Sequence, residues 1–142
     1  MLARGGAFNH NLVFHVDHTA LDPATVARFK DLCMDANDHQ ALADWWCRVL
    51  GYVRRDSAGA GERRSPDWPV PIIDPTGAGP LMWVIPVPER KSVKNRMHID
   101  VFGVTSEILG LGATLVRARG GDIEWDVLAD PEGNEFCVFT ER

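Results

Sequence analysis

Residues 130–139 read Asp-Pro-Glu-Gly-Asn-Glu-Phe-Cys-Val-Phe, and this stretch decides how the chain folds. Asp130, Pro131 and Gly133 have the composition of a type I turn, because proline presets the backbone angle and glycine lets the chain leave the turn without a steric penalty. From Asn134 to Phe139, alternate side chains point to opposite faces, as a β-strand requires. The stretch therefore predicts a tight turn that opens a strand.

An earlier stretch repeats this pattern. Residues 73–77 read Ile-Asp-Pro-Thr-Gly and lead, after a short spacer, into Leu-Met-Trp-Val-Ile at 81–85. Two strand–DPxG–strand hairpins in one small chain indicate an internal duplication. We therefore predict two β-α-β-β-β units, at about 29–86 and 94–142, which form one domain preceded by an N-terminal extension of residues 1–28.

Composition limits the classes of partner. The chain has 142 residues, of which 45% are hydrophobic and 25% charged, as in ordinary globular domains. Its net charge of −5 argues against a nucleic-acid partner, which needs a basic face. Three cysteines without a CxxC spacing favour a reduced, cytoplasmic setting over a disulfide framework. The sequence shows neither a membrane-spanning apolar run nor a signal-peptide core, so we expect no membrane partner.

Local patterns place the helices and strands. Asp38 is the predicted N-cap of a helix that runs to Leu50 and ends at Gly51. A second, shorter helix is predicted over Thr105–Leu111. The first strand is predicted over Arg28–Asp35, and a longer one over Lys94–Phe102. The predicted fold class is α+β without parallel strand pairs and with His98 away from the helices. Apolar strand residues are expected to pack beneath the two helices: Leu32, Met34, Met97, Ile99, Val101, Phe136 and Val138.

Three motifs together resemble a known superfamily. They are Val-Leu-Gly-Tyr at 49–52, Lys-Asn-Arg-Met-His-Ile-Asp at 94–100, and Asp-Pro-Glu-Gly-Asn-Glu-Phe-Cys at 130–137. With the duplicated units, they resemble the vicinal-oxygen-chelate superfamily, most closely its glyoxalase-like and bleomycin-resistance-like proteins, from about residue 28 onward. The resemblance implies eight strands that form a half-open, barrel-like sheet around a cleft. It leaves the chemistry open, because this fold carries lyases, isomerases, dioxygenases and non-catalytic antibiotic-binding proteins.

The resemblance also implies where a metal would bind. Metal-dependent members place one ligand on the first and last strand of each unit, and these positions fall on Asp31, about Trp83, His98 and Cys137. Trp83 offers no ligand atom, so we expect no cofactor. If a divalent metal does bind, its ligands are Asp31, His98 and Cys137, and the thiolate favours Zn²⁺.

His98 and Asp100 are the candidate catalytic residues. They lie two positions apart and therefore share one face of a strand, where an imidazole can orient a ligand or move a proton near neutral pH. The alternative is a structural histidine that only hydrogen-bonds Asp100. The candidate ligand-binding residues face the same cleft in the predicted register: Asp31, Cys33, Trp83, Arg96, Trp125, Glu135 and Cys137. The alternative for Cys137 is the role of a small apolar residue in the cleft wall. The alternative for Trp125 is a position in the core.

Two functions remain open at this stage. The first is a protein that binds a small organic molecule in an aromatic cleft without a metal. The second is a lyase- or isomerase-type enzyme that uses His98, either with Asp31 and Cys137 on a metal or in metal-free acid–base chemistry. Because half-open barrels expose sheet edges and apolar flanks, we also expect a two-fold homodimer.

Overall fold

The computed structural model describes residues 29–55 and 65–140, so the predicted extension 1–28 lies outside the described residues. The first unit consists of β1 (Leu32–Ala36), α1 (His39–Leu50), β2 (Val53–Arg54), β3 (Val70–Ile73) and β4 (Met82–Pro86). The second unit consists of β5 (Asp100–Phe102), α2 (Thr105–Gly110), β6 (Thr114–Arg117), β7 (Asp126–Ala129) and β8 (Glu135–Phe139). Neither described helix has the length and apolar content needed to cross a membrane.

Each unit forms a four-stranded sheet in which the first strand lies beside the last. The orders are β1-β4-β3-β2 and β5-β8-β7-β6. The pairs β1–β4 and β5–β8 are parallel, so the prediction of no parallel pair is wrong. The connectivity explains this. The helix carries the chain back across the sheet, so the second strand of the unit runs in the same direction as the first. The two turns that follow each reverse the chain, so the last strand is again parallel to the first. The sheets do not close on each other, which confirms the predicted α+β, half-open arrangement of two βαβββ units.

Helix α1 begins and ends as predicted. The Asp38 side chain accepts a hydrogen bond from the Ala41 backbone N–H at 3.0 Å, which satisfies one of the free donors of the first turn. Gly51 ends the helix with a φ of 70°, a left-handed conformation that favours glycine. The helix buries its apolar face, with Leu42, Trp45 and Trp46 all in the core.

The core confirms most, but not all, of the predicted apolar residues. Val101, Phe136 and Val138 are buried, and Leu32, Met34 and Ile99 pack against the core while remaining partly exposed. The prediction for Met97 is wrong, since this side chain is 79% exposed. The predicted strand over 94–102 begins only at residue 100. The reason is that the Asn95 backbone N–H donates to the Glu135 side chain at 3.2 Å instead of joining a strand ladder.

The turn at 130–133 is a buried hydrogen-bonded centre. The Gly133 N–H donates to the Asp130 carbonyl at 2.9 Å, as the predicted turn requires. The Asp130 carboxylate, only 2% exposed, accepts from Trp46 Nε1 at 3.1 Å. It also accepts from the backbone N–H groups of Glu132 and Asn134, both at 2.9 Å. Burial raises the pKa of Asp130, and these donors oppose the rise.

The same turn also holds the start of α1. The Glu132 carboxylate accepts from the backbone N–H groups of Asn37 at 3.1 Å and Asp38 at 2.7 Å. A carboxylate is favourable here because the N-terminus of a helix carries partial positive charge. The second unit thus contacts the first helix at its N-terminus, through Glu132, and in its interior, through Trp46.

The linker between the units is fixed by Glu135. Its carboxylate pairs with Lys91 Nζ at 2.9 Å, and both side chains are mostly buried. Burial raises the pKa of Glu135, but the bonds from Lys91 and from the Asn95 backbone outweigh it and hold the pKa at about 2. The linker therefore lies against the start of β8.

The duplicated turns offer a matched test of the Asp130 centre. We expect Asp130→Ala to lower the free energy of unfolding by about 3 kcal/mol, because it leaves several buried donors without an acceptor. Asp74→Ala is the control, since Asp74 makes similar turn bonds to Thr76 and Gly79 near the surface. We expect it to cost about 1 kcal/mol. Urea unfolding measures both, and equal losses would contradict a special role for Asp130.

The Glu135 pair predicts a defined acid sensitivity. Its folded pKa of about 2 lies below the ordinary 4.5, so its stabilisation is complete above pH 4.5 and is lost as the pH falls towards 2. We expect Glu135→Gln to be about 1–2 kcal/mol less stable at pH 7 and to show a flatter stability profile across that window. Glu89→Gln, at an exposed linker carboxylate, is the control. This account is refuted if the free energy of unfolding of Glu135→Gln falls with pH in that window as steeply as that of the wild-type protein.

Candidate functional site

The structure brings three predicted residues together on the second sheet. Asp100 and Cys137 are register partners in the parallel β5–β8 pair, and His98 lies in the segment that precedes β5. His98 Nδ1 lies 3.2 Å from Asp100 Oδ1 and 3.7 Å from Cys137 Sγ. Cys137 is buried, whereas His98 and Asp100 are exposed. The cluster thus has a buried base and an open top.

The directions of these hydrogen bonds determine what the cluster can do. A carboxylate only accepts, so Nδ1 carries the hydrogen in its contact with Asp100, which leaves Nε2 as the acceptor of a neutral ring. Burial and the Asp100 carboxylate raise the pKa of the Cys137 thiol. A thiol is a poor nucleophile, so the cluster does not support cysteine nucleophilic catalysis. It supports binding or proton transfer at His98 Nε2.

A metal at the four positions implied by the resemblance does not fit these residues. Among the described residues, the donor atoms of His98, Asp100 and Cys137 lie within 4.8 Å of one another, and Asp31 is not part of this group. Zinc would require a thiolate at Cys137, whereas burial and the Asp100 carboxylate raise the pKa of this thiol. Trp83, at the fourth position, supplies no ligand atom.

His98 and Cys137 of this cluster line a cavity of about 330 Å³ on the second sheet. We call it the second-sheet cavity. Its apolar wall consists of Val116, Ile123, Trp125, Val127 and Phe136. Its polar lining consists of Lys94, His98, Arg117, Glu135 and Cys137. The volume is at the lower end of the range for small-molecule sites.

Trp125 is the aromatic wall of this cavity. Its ring stacks on Phe139, with centroids 5.3 Å apart and an interplanar angle of 29°. Phe102 packs edge-on against Phe139 at 6.5 Å. These contacts hold Trp125 in one orientation, as a fixed surface for a flat ligand.

A second cavity, of about 260 Å³, lies between β1 and the 94–99 segment. We call it the inter-sheet cavity. Cys33 lines it from the first sheet, and Asn95 lines it from the linker. His98 and Glu135 line both cavities. The two cavities are therefore neighbours with shared walls.

Asp31 and Trp83 form a separate group that lines neither cavity. Trp83 Nε1 donates to Asp31 at 2.9 Å, and the Arg55 guanidinium lies over the Trp83 ring at 5.2 Å. The Lys30 ammonium and, against the effect of burial, the Trp83 N–H lower the pKa of Asp31. Arg55 covers the ring face that a ligand would need for stacking.

The remaining predicted residues have different surroundings. Arg96 is exposed and lines neither cavity. Glu135 faces both cavities, but its carboxylate is already paired with Lys91. Sequence reasoning missed Lys94 as a cavity residue and placed it at the start of the predicted strand Lys94–Phe102. The available signal was its position two residues before Arg96, on the face that His98 and Asp100 share.

Comparison with known proteins gives the family. The model of the glyoxalase-like domain matches residues 31–139, and no curated protein matches the chain. One similar structure is a glyoxalase/bleomycin resistance protein/dioxygenase family enzyme from Burkholderia phytofirmans PsJN. It is 19% identical with a TM-score of 0.58, and the match covers 80% of this chain and 98% of that one.

Two fosfomycin resistance proteins named FosX are also similar in structure. The protein from Mesorhizobium loti is 12% identical with a TM-score of 0.56, over 83% of this chain and 94% of its own. The protein from Listeria monocytogenes is 10% identical with a TM-score of 0.57, over 83% and 96%. At these identities the likeness shows the fold alone. Together with the match over 31–139, it establishes that the chain belongs to the glyoxalase-like domain family.

Proposed function

We propose that this protein binds a small organic molecule in the second-sheet cavity without a metal. The observation that carries the proposal is the Trp125 ring, stacked on Phe139, in the apolar wall of a cavity that His98 also lines. Such a combination of a flat apolar surface and a few polar groups is typical of small-molecule sites. In this role, His98 gives a ligand one directed hydrogen bond.

The donor chemistry supports a metal-free site. A metal bound through Cys137 would require the thiol to lose its proton, and burial and the Asp100 carboxylate raise the pKa of that thiol. The contact of His98 Nδ1 with Asp100 orients the imidazole so that Nε2 remains available to a ligand.

The proposal predicts purification without stoichiometric metal. We expect elemental analysis to find no near-equimolar zinc, nickel, iron or manganese, and a chelator to leave the melting temperature unchanged. His98→Ala should weaken the binding of 2-naphthol, an aromatic alcohol used as a probe, by about tenfold, because it removes the Nε2 acceptor for the hydroxyl hydrogen of the probe. Cys137→Ser is the control and should bind normally. Near-equimolar metal that is lost in His98→Ala would refute the metal-free site.

A second candidate is metal-free acid–base chemistry of the lyase or isomerase type. It is favoured by the 3.2 Å contact that joins Asp100 to His98 Nδ1, since a carboxylate that orients an imidazole is a common general-base arrangement. His98 would be the catalytic base and Asp100 its positioning residue. Conversion of a bound compound that is seen by NMR and lost in His98→Gln would favour this enzyme over a binding protein.

We also propose a homodimer formed through the second sheet. Phe102 is 73% exposed beside the Phe139 ring, and β6 leaves its outer edge unpaired within the described sheet. A second copy would cover both the edge and the aromatic surface.

Light scattering at micromolar concentration tests the homodimer. We expect a mass near twice the 15.7 kDa of one chain. Phe102→Glu should shift the mass to that of one chain, because a buried unpaired charge opposes association. Val93→Glu, at an exposed linker residue, should remain dimeric. A wild-type protein with the mass of a single chain would contradict the proposal.

A further inference from the structure

We propose that the ligand of the second-sheet cavity is a small amphiphilic acid, with its flat apolar part on Trp125 and its single anionic group at Lys94. This inference rests on the proposed function and adds the chemical class of the ligand. It follows from the charges around the cavity and from their distribution.

Two of the charged side chains that line the cavity are already paired. Arg117 pairs with Asp122. Glu135 pairs with Lys91 at 2.9 Å.

Lys94 differs from these groups. It lines the cavity and is exposed, and it has no ion pair with any residue in the described part of the chain. Lys94 is therefore the charged side chain of the cavity lining that is left for an anionic partner.

The shape of the cavity limits the rest of the ligand. The lining combines apolar and polar side chains, and the volume of about 330 Å³ corresponds to roughly ten water molecules. A one- or two-ring compound with one acidic group fills such a space. A cationic ligand would be repelled by the Lys94 ammonium group. A neutral ligand would not form an ion pair with it.

A matched pair of probes separates charge from shape. We would titrate the full-length protein with 2-naphthoate and with 2-naphthamide, which share the ring system and differ in the charge of one group, and follow binding by NMR. We expect the acid to bind about tenfold more tightly, as one charge-assisted hydrogen bond provides. Added salt should weaken only the acid.

Variants then assign the charge to Lys94. Lys94→Gln should remove the tenfold preference and leave binding of the amide unchanged. Arg90→Gln is the matched control, because it removes one exposed positive charge of the same linker outside this cavity. Trp125→Leu should weaken both probes equally.

The outcomes distinguish the two levels of the proposal. If acid and amide bind equally, or if Arg90→Gln lowers acid binding as much as Lys94→Gln does, the acidic class is wrong while the small-molecule site stands. If neither probe binds the wild-type protein, the proposed aromatic site fails as well.

Discussion

The structure depends on one buried carboxylate at the point where the two units meet. Asp130 accepts hydrogen bonds from its own turn and from Trp46 of the first helix, so the same group shapes the hairpin and joins the units. Unpaired burial of a carboxylate is unfavourable, which makes its full set of donors a requirement of the fold. Because β8 begins a few residues later, this turn also sets the position of Cys137 and hence of the cluster around it.

Much of the fold could be predicted from the sequence because its signals are local. The helix caps and turns form through hydrogen bonds and backbone angles that involve residues no more than four positions apart. This holds for Asp38, Gly51 and both DPxG turns, and all of them are present as predicted. The strand over 94–102 failed because strand formation requires a partner elsewhere in the chain. The alternation of apolar and polar residues around Met97 is necessary for a strand but does not by itself form one. The Asn95 N–H donates to the Glu135 carboxylate, so it does not pair with a neighbouring strand. The parallel pairs were missed for a different reason, which is that direction follows from connectivity and not from composition.

The candidate site shows the same limit. Sequence reasoning named both Trp83 and Trp125 as ligand-binding residues, with a core position as the alternative for Trp125 alone. Their neighbours make the difference: Arg55 covers the first ring, whereas Phe139 supports the second. Likewise Asp74 and Asp130 occupy identical motifs, and only the tertiary contact with Trp46 buries one of them. His98 and Asp100 were brought together as predicted because their proximity is a two-residue effect.

The two cavities share part of their lining. His98, Glu135 and Phe136 line both, so the cavities are neighbours across the 94–99 segment and the start of β8. A substitution at one of these three positions therefore alters both cavities at once, whereas a substitution at Cys33 or at Trp125 alters a single cavity.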